Sequence, residues 1–409
     1  MSQSTSHSVV SPSTGAAYAL APRRPHVHAA DSVPSTRPLR LAIVRQQYKP
    51  DGGAERFTAS LLGALGKNSY DLTVLARSWQ DQDALHAVRC NPPWLGRLSR
   101  DLGFVLSVRR QLKGSHFDLV QSNERVPGCD VYRAGDGVHR QWLAYRRRCQ
   151  SWPARWLSRL SPYHAYLQWI ERRVFEHPRL KAVICNSRMV RDEILRSFHI
   201  DPHKLHVIYN GVDTQRFSPQ LKQHRAAVRA QWCIPHDAPL FVFVGSGFER
   251  KGLRYAIEAL RHVPAAHLLV VGGDKQSPRY TRLAQNRGVA SRTHFAGVRG
   301  DVGPFYGAAD ALLLPTLYDP MPNVTMEALA VGLPILVSPA CGAAELIDHE
   351  DCGLVCDPLD STALVGAMQR LADPQTAARM GQTARQRVAG LTPEAMAAQL
   401  TELYRKLLT

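Results

Sequence analysis

No stretch of this 409-residue sequence approaches the ~20 consecutive apolar residues that a bilayer-spanning helix needs. In residues 1–37 the apolar patch Ala16–Pro22 is too short and too weak for a secretory h-region. That segment is rich in Ser, Thr, Pro, Ala and His and has little to bury. It reads as a disordered tail, or as an upstream start that adds nothing to the fold. The eight cysteines (Cys90, Cys129, Cys149, Cys185, Cys233, Cys341, Cys352 and Cys356) include no CxxC pair. Cys352 and Cys356 lie four apart, but no second ligand pair with zinc-like spacing accompanies them. Scattered through a long chain with no secretory signal, they read as reduced, mostly buried thiols. Acidic residues are scarce: 34 against 51 Lys and Arg, a formal net charge of +17. Such an excess draws polyanions, whether nucleic acid, anionic membrane or phosphorylated substrates, and composition alone does not choose among them.

The length suits two domains, and 44% hydrophobic residues let each bury its own core. Leu39–Arg45 reads as a buried first strand, Leu72–Ala76 as a second, and Phe117–Gln121 and Ala182–Cys185 as two more. After the first strand, Gly52-Gly53 leads into Ala54–Gly66, whose Phe57, Leu61, Leu62 and Leu65 have helical spacing. The pattern restarts beyond Asn210-Gly211-Val212-Asp213. Strands are expected at Leu240–Gly245, His267–Gly272, Thr293–Ala296, Ala311–Pro315 and Pro334–Ser338, with helices between them and a closing amphipathic helix at Pro393–Leu408. Strand–helix alternation of this kind predicts two α/β domains, each a doubly wound, Rossmann-like parallel sheet. The expected boundaries are 1–37 for the tail, 38–205 and 206–390 for the two domains, and 391–409 for the closing helix. Ligands of open α/β sheets sit beyond the carboxyl ends of the strands, so residues just after each strand carry most weight.

Three clusters occupy such positions. Gly52-Gly53 would let a ligand approach the backbone at a helix start, where free N–H groups and the positive dipole end suit a phosphate; taken alone, it reads as a plain tight turn. The run Gly245-Ser246-Gly247-Phe248-Glu249-Arg250-Lys251-Gly252 is neither a dinucleotide fingerprint, because Arg250 stands where the third glycine would be, nor a Walker A loop. Its Arg250 and Lys251 are placed to hold a diphosphate. In Asp319-Pro320-Met321-Pro322-Asn323-Val324-Thr325-Met326-Glu327, two acids lie eight apart across a loop that runs into a helix. Asn323 or Thr325 is expected to cap that helix. Glu327 would accept hydrogen bonds from a ribose diol and Asp319 from sugar hydroxyls, while the N–H groups between them, from Asn323 to Thr325, meet phosphate.

With these residues in order, the chain resembles the group 1, or family 4, retaining glycosyltransferases of GT-B fold over roughly residues 38–405. That family carries Gly-Gly near the N-terminus, Asn-Gly-Val-Asp at the start of its second domain, and Glu-x7-Glu followed by Ala-Leu/Met-Ala-x-Gly-x-Pro, matched here by Ala328–Pro334. The first acid departs from the pattern: Asp319 stands where the family usually has Glu, which bears on sugar identity more than on activity. Within the family the chain is most similar to the lipopolysaccharide-core glucosyltransferases of Gram-negative bacteria. Pro127-Gly128-Cys129-Asp130-Val131-Tyr132, running on to Asp136, is similar to a segment of theirs that ends in a functional Asp, and Gly245–Gly252 matches their Gly-Ser-x-Phe-x-Arg-Lys-Gly. The resemblance implies that Asp136 faces the acceptor, orienting or deprotonating its hydroxyl, alongside Arg250 and Lys251 as catalytic groups. It implies transfer of a hexose with retention of configuration, glucose from UDP-glucose onto a lipid-linked lipopolysaccharide-core precursor as the leading reading, with another donor sugar or glycan acceptor on the same fold as the alternative. No metal or other cofactor is expected. Asp81-Gln82-Asp83 looks like the metal-binding Asp-x-Asp of the other major glycosyltransferase fold but lacks that context and reads as solvated surface. Val298 and Arg299, just after a strand, are weaker candidates for contact with the base.

Residues 138–181 hold ten Arg or Lys, only Glu171 and Glu176 as acids, and Trp142, Trp152, Trp156 and Trp169. Trp152, Trp156 and Leu160 share helical spacing. With Arg146, Arg147 and Arg148 they suit an anionic membrane surface at the acceptor side, and also single-stranded nucleic acid; the lipid-linked acceptor favours the membrane, and Trp169 and Ile170 read as core-facing. The expected setting is cytoplasmic, peripheral on the inner face of the cell membrane, as a monomer without nucleic acid. Two other classes compete: a nucleic-acid-binding protein, favoured by charge but lacking an RNA-binding motif, and a nicotinamide-dependent oxidoreductase, for which Asp274 after a strand is attractive.

Overall fold

The computed structural model describes residues 38–47, 70–78 and 86–408. Gly52, Gly53, the helix expected over 54–66 and Asp81-Gln82-Asp83 lie outside the described residues, as do residues 1–37.

Two parallel sheets organise the chain. The first joins β1 (Leu39–Gln47), β2 (Tyr70–Ser78), β3 (His86–Arg89), β4 (Leu119–Ser122), β5 (Val131–Arg133), β6 (Ala182–Cys185) and β7 (Leu205–Val207) in the order β3-β2-β1-β4-β5-β6-β7. The second joins β8 (Leu240–Val244), β9 (His267–Val271), β10 (Thr293–Gly297), β11 (Ala311–Leu314), β12 (Ile335–Val337) and β13 (Gly353–Val355) in the order β10-β9-β8-β11-β12-β13. In each, the order reverses beside the first strand, between β1 and β4 and between β8 and β11, which opens a crevice at the carboxyl ends.

Strand composition explains the burial. β8 (LFVFV) and β9 (HLLVV) are buried at every position, as strands covered on both faces must be. In β1 the alternation separates two cores. Ala42 and Val44 pack with Phe104, Val108, Val174 and Ile194 from the helices Gly96–Gly114, Pro162–Phe175 and Arg188–Ser197. Leu41 and Ile43 pack on the other face against Met396, Leu400, Leu403 and Tyr404. These four belong to the last helix, Pro393–Leu408, so the chain leaves the first sheet, builds the second, and returns to cover the first. The outgoing and returning segments touch where Val212 N–H donates to the Leu391 carbonyl.

The longer apolar strands fall within one or two residues of their expected positions. The sequence does not announce β3 (HAVR), β5 (VYR), β7 (LHV) or β13 (GLV), which lack the unbroken apolar run that marks the equally short β6 (AVIC), β11 (ALLL) and β12 (ILV). Five of the cysteines are buried and Cys233 is exposed, with no disulfide among the described residues.

Candidate active site

The carboxyl ends of the two sheets face one cavity of about 840 Å³. Asp136 and Arg146 line it from the first sheet's side. Gly245, Arg250, Lys251, Val298, Arg299, Asp319, Asn323, Val324 and Glu327 line it from the second. Thr325 sits behind the wall, fully buried, its hydroxyl donating to the Pro322 carbonyl at 2.6 Å. Arg147, Arg148, Trp152 and Trp156 do not line the cavity.

On the second sheet's side, β8 runs into Gly245, whose φ of 132° is open to glycine. A Cβ there would lie 2.6 Å from Lys251 Cε, so the missing side chain makes room for the lysine to cross the strand end. Lys251 Nζ lies 3.0 Å from Asp319 Oδ2, and Arg250 Nη2 lies 3.5 Å from the same oxygen. Asp319 is 5% exposed. Burial opposes its charge, but Lys251 and Arg250 outweigh burial and hold its pKa below the usual carboxylate value. Its backbone is fixed too: Asp319 N–H donates to the Ala340 carbonyl, and Gly342 N–H to the Asp319 carbonyl. Arg250 also donates to the Tyr318 carbonyl at 3.2 Å, yet 40% of its side chain stays exposed to the cavity.

Glu327 lies in the second turn of the helix Asn323–Val331 and is 2% exposed, accepting from the Tyr306 hydroxyl at 2.9 Å. The cap of this helix differs from expectation. Pro322 occupies the N-cap position and neither Asn323 nor Thr325 caps. Asn323 instead accepts from Asn210 Nδ2 at 2.7 Å, and Asn210 accepts from Arg133 at 2.7 Å. Asn210, in the Asn-Gly-Val-Asp run, therefore bridges β5 and this helix. Burial pulls the Arg133 pKa down to about 10. Val298 is 80% exposed on the rim, and Arg299 Nε donates to the Ala296 carbonyl. Asp274, the residue that tempted an oxidoreductase reading, accepts from Phe248 N–H and Gln276 N–H and so holds the glycine-rich turn.

On the first sheet's side, Asp136 follows β5, with 72% of its carboxyl side chain exposed and Arg125 Nη1 3.5 Å away. Arg125 is clamped from behind by Glu171, at 3.0 Å, which also accepts from His139 N–H. His139 lines the cavity beside His164, 3.1 Å from it; burial, then Arg125 and His164, push its pKa down to about 3, so it stays neutral. The sequence does not mark Arg125, Arg133, His139 or Glu171 as site residues, because their partners lie 11 to 77 residues away and only the fold brings them together.

The basic aromatic segment divides. Arg146 pairs with Glu249 at 3.3 Å and Arg148 with Asp357 at 2.6 Å, both carboxylates on the second sheet's side. Trp152, at 77% exposed, and Trp156, at 58%, stand on the helix Trp152–Arg159, which has no buried residue. Leu157 and Leu160 are exposed beside them. Ile170 is in the core, but Trp169 is 51% exposed, contrary to the core-facing reading. The buried stripe of the helix Pro162–Phe175 runs through Leu167, Ile170, Glu171, Val174 and Phe175, and Trp169 falls off it, beside Arg173, whose guanidinium lies 5.5 Å from the ring centroid.

Two doubly wound parallel sheets facing one cationic cavity, with a final helix returning to the first, make up the GT-B architecture of glycosyltransferases. The chain belongs to the group 1, family 4 glycosyltransferases: residues 51–216 match the family described as Glycosyltransferase Family 4 and residues 224–387 that described as Glycosyl transferases group 1. It is similar to the lipopolysaccharide glucosyltransferase WaaG of Escherichia coli (strain K12), 28% identical over 349 residues covering 83% of this chain and 91% of that protein. It is also similar to the lipopolysaccharide core biosynthesis glycosyltransferase LpsE of Rhizobium meliloti (strain 1021), 24% identical over 86% of this chain and 94% of that one. The crystal structure of WaaG, at 25% identity, superposes with a TM-score of 0.78 and covers 89% of this chain and 99% of that chain. Anabaena Alr3699/HepE, solved with UDP and glucose, shares the fold at 19% identity and a TM-score of 0.68, over 90% of this chain and 100% of that one.

Proposed function

We propose that this glycosyltransferase moves glucose from UDP-glucose onto a lipid-linked lipopolysaccharide-core precursor, with retention of configuration and without a metal. The observation that carries the reading is the meeting of Lys251, Arg250, Asp319 and Glu327 in one cavity with Asp136 across from them. The bond from the anomeric carbon to the diphosphate oxygen breaks, and its electron pair leaves on UDP. Arg250 and Lys251 meet the growing charge on that leaving group. Glu327 holds the ribose and Asp319 the sugar hydroxyls, with the backbone from Asn323 to Thr325 toward the phosphate and Val298-Arg299 toward the base. The acceptor oxygen bonds to the anomeric carbon on the face the diphosphate leaves, and exposed Asp136 orients or deprotonates that hydroxyl. The lipopolysaccharide-related names of WaaG and LpsE support the acceptor class.

Among the described residues no helix is long and apolar enough to cross a membrane. Docking at the inner face of the cell membrane rests on Trp152, Trp156, Leu157 and Leu160, unburied and flanked by Arg155 and Arg159. Vesicle flotation tests this part: retention on anionic vesicles at low salt is expected, and equal failure on anionic and neutral vesicles removes it.

A panel of UDP-, GDP- and ADP-sugars, with and without EDTA, tests the reaction. Release of UDP from UDP-glucose, undiminished by EDTA, is expected. A preference for GDP- or ADP-sugars overturns the donor, and abolition by EDTA overturns the metal-free scheme. Glu327→Ala should abolish turnover while the protein stays folded; unchanged turnover removes the ribose-binding assignment.

A further inference from the structure

We infer that Tyr318 is a positioning residue that ties the acceptor-side turn carrying Asp136 to the donor-side loop carrying Asp319. The inference rests on the reading of those two acids given above.

Tyr318 immediately precedes Asp319, is 2% exposed, and projects across to the first sheet's side. Its hydroxyl accepts from Val138 N–H at 2.9 Å and donates to Glu193 Oε2 at 2.6 Å. Val138 lies two residues beyond Asp136, and Glu193 lies on the helix Arg188–Ser197. Between them, Gly137 adopts a φ of 69°, and a Cβ there would sit 2.0 Å from the Tyr318 oxygen. The acceptor-side turn is thus shaped around this one hydroxyl. The Tyr318 ring stacks on Tyr145, with centroids 5.9 Å apart.

Two other links join the sides near the cavity, the largely buried Arg133–Asn210–Asn323 bridge and Glu345, which accepts from Arg188 and Met189 N–H, but neither hydrogen-bonds to the turn that carries Asp136. Arg146–Glu249 and Arg148–Asp357 are partly exposed pairs of the kind that contribute little. The Tyr318 bonds are buried, where the low local dielectric makes a hydrogen bond stronger and its loss costlier than at the surface. From Val138, which the hydroxyl touches, it is two residues back to Asp136 along one segment, and from Tyr318 one residue forward to Asp319 along the other. A shift in this contact therefore changes the distance between the group that handles the acceptor and the group that holds the sugar. Orientation errors of about 1 Å cost up to about 100-fold in rate.

The test uses the full-length protein with Tyr318→Phe, which keeps the ring and removes the hydroxyl. Transfer to acceptor is expected to fall about 10- to 100-fold in kcat, with UDP affinity held within about twofold. Amide exchange at Val138 should rise in the same variant. Glu193→Gln keeps an oxygen for the hydroxyl to donate to and should restore most of the transfer rate relative to Tyr318→Phe. Unchanged transfer in Tyr318→Phe overturns the inference, as does a loss matched by an equal loss of UDP affinity, or unaltered exchange at Val138. Failure of the underlying reading has a different signature: the wild-type protein would release no UDP from any UDP-sugar. The exchange measurement would still decide whether Tyr318 ties the two segments.

Discussion

Lys251 and Asp319, sixty-eight residues apart, meet at 3.0 Å on the segments that follow adjacent strands β8 and β11, both nearly excluded from solvent. The lysine proposed to hold a diphosphate is already neutralised by the acid proposed to hold the sugar. Donor binding then places a second anion beside Lys251 without first desolvating a bare cation. The pair also prevents either charge from standing alone in the wall, which is the costly state.

Lys251→Met breaks this pair and should act twice. Asp319 keeps only the longer contact to Arg250, so the free protein loses about 2 kcal/mol or more of stability. UDP affinity should fall about 10- to 100-fold, the loss expected for one charge-assisted contact. Urea unfolding and calorimetric titration measure the two separately. Full UDP affinity in the variant would remove Lys251 from the diphosphate site.

Asp319→Glu adds one methylene to a side chain that is 5% exposed and gripped at its tip. Overfilling a packed site costs about 1–3 kcal/mol, and here the displaced atoms face the sugar pocket. UDP affinity should stay within about threefold, since that contact belongs to Lys251 and Arg250, while the ratio of rates for different UDP-hexoses changes. A donor panel run on both proteins reads this directly. An unaltered ratio would mean that residue 319 does not face the sugar.

Gly252→Ala tests the backbone that carries Arg250 and Lys251. Gly252 has a φ of 77°, and a Cβ would sit 1.8 Å from the Pro315 carbonyl oxygen. Neither the turn nor the end of β11 can yield cheaply, so the variant should lose at least about 2 kcal/mol in urea unfolding. Wild-type stability would mean that the close approach relaxes without penalty.

What the sequence discloses follows from the range of the interactions involved. β8 and β9 announce themselves as unbroken apolar runs, and the last helix by its period, because burial acts residue by residue along the chain. β5 is three residues long and owes its place to β4 and β6, so nothing local marks it. The acids at 319 and 327 were legible through spacing and likeness. Their partners were not: Tyr306 reaches Glu327 through the packing of two helices of the second domain, while Asn210 for Asn323 and Glu193 for Tyr318 are fixed by how the sheets face each other. Arg146 and Arg148 show the converse. A basic run looks like one surface in sequence, yet these two turn toward carboxylates on the second sheet's side while Trp152 and Trp156 are exposed to solvent.

Glu193 gives the Tyr318 contact a pH signature. Burial raises its pKa to about 7, against smaller opposing effects from the Tyr318 hydroxyl and Arg196. A carboxyl whose folded pKa is raised favours the protonated form in the fold. Its contribution to stability is fully present below its unfolded pKa of about 4.3 and is lost as pH rises through about 7. The size of the shift corresponds to roughly 3 kcal/mol across that window. Glu193→Gln carries no such proton, so its stability relative to wild type should rise by up to that amount between pH 4.5 and pH 7.5. Parallel urea unfolding of both proteins across this range checks it. A constant difference between the two would mean that Glu193 is ionised throughout and that the Tyr318 hydroxyl always faces a charge.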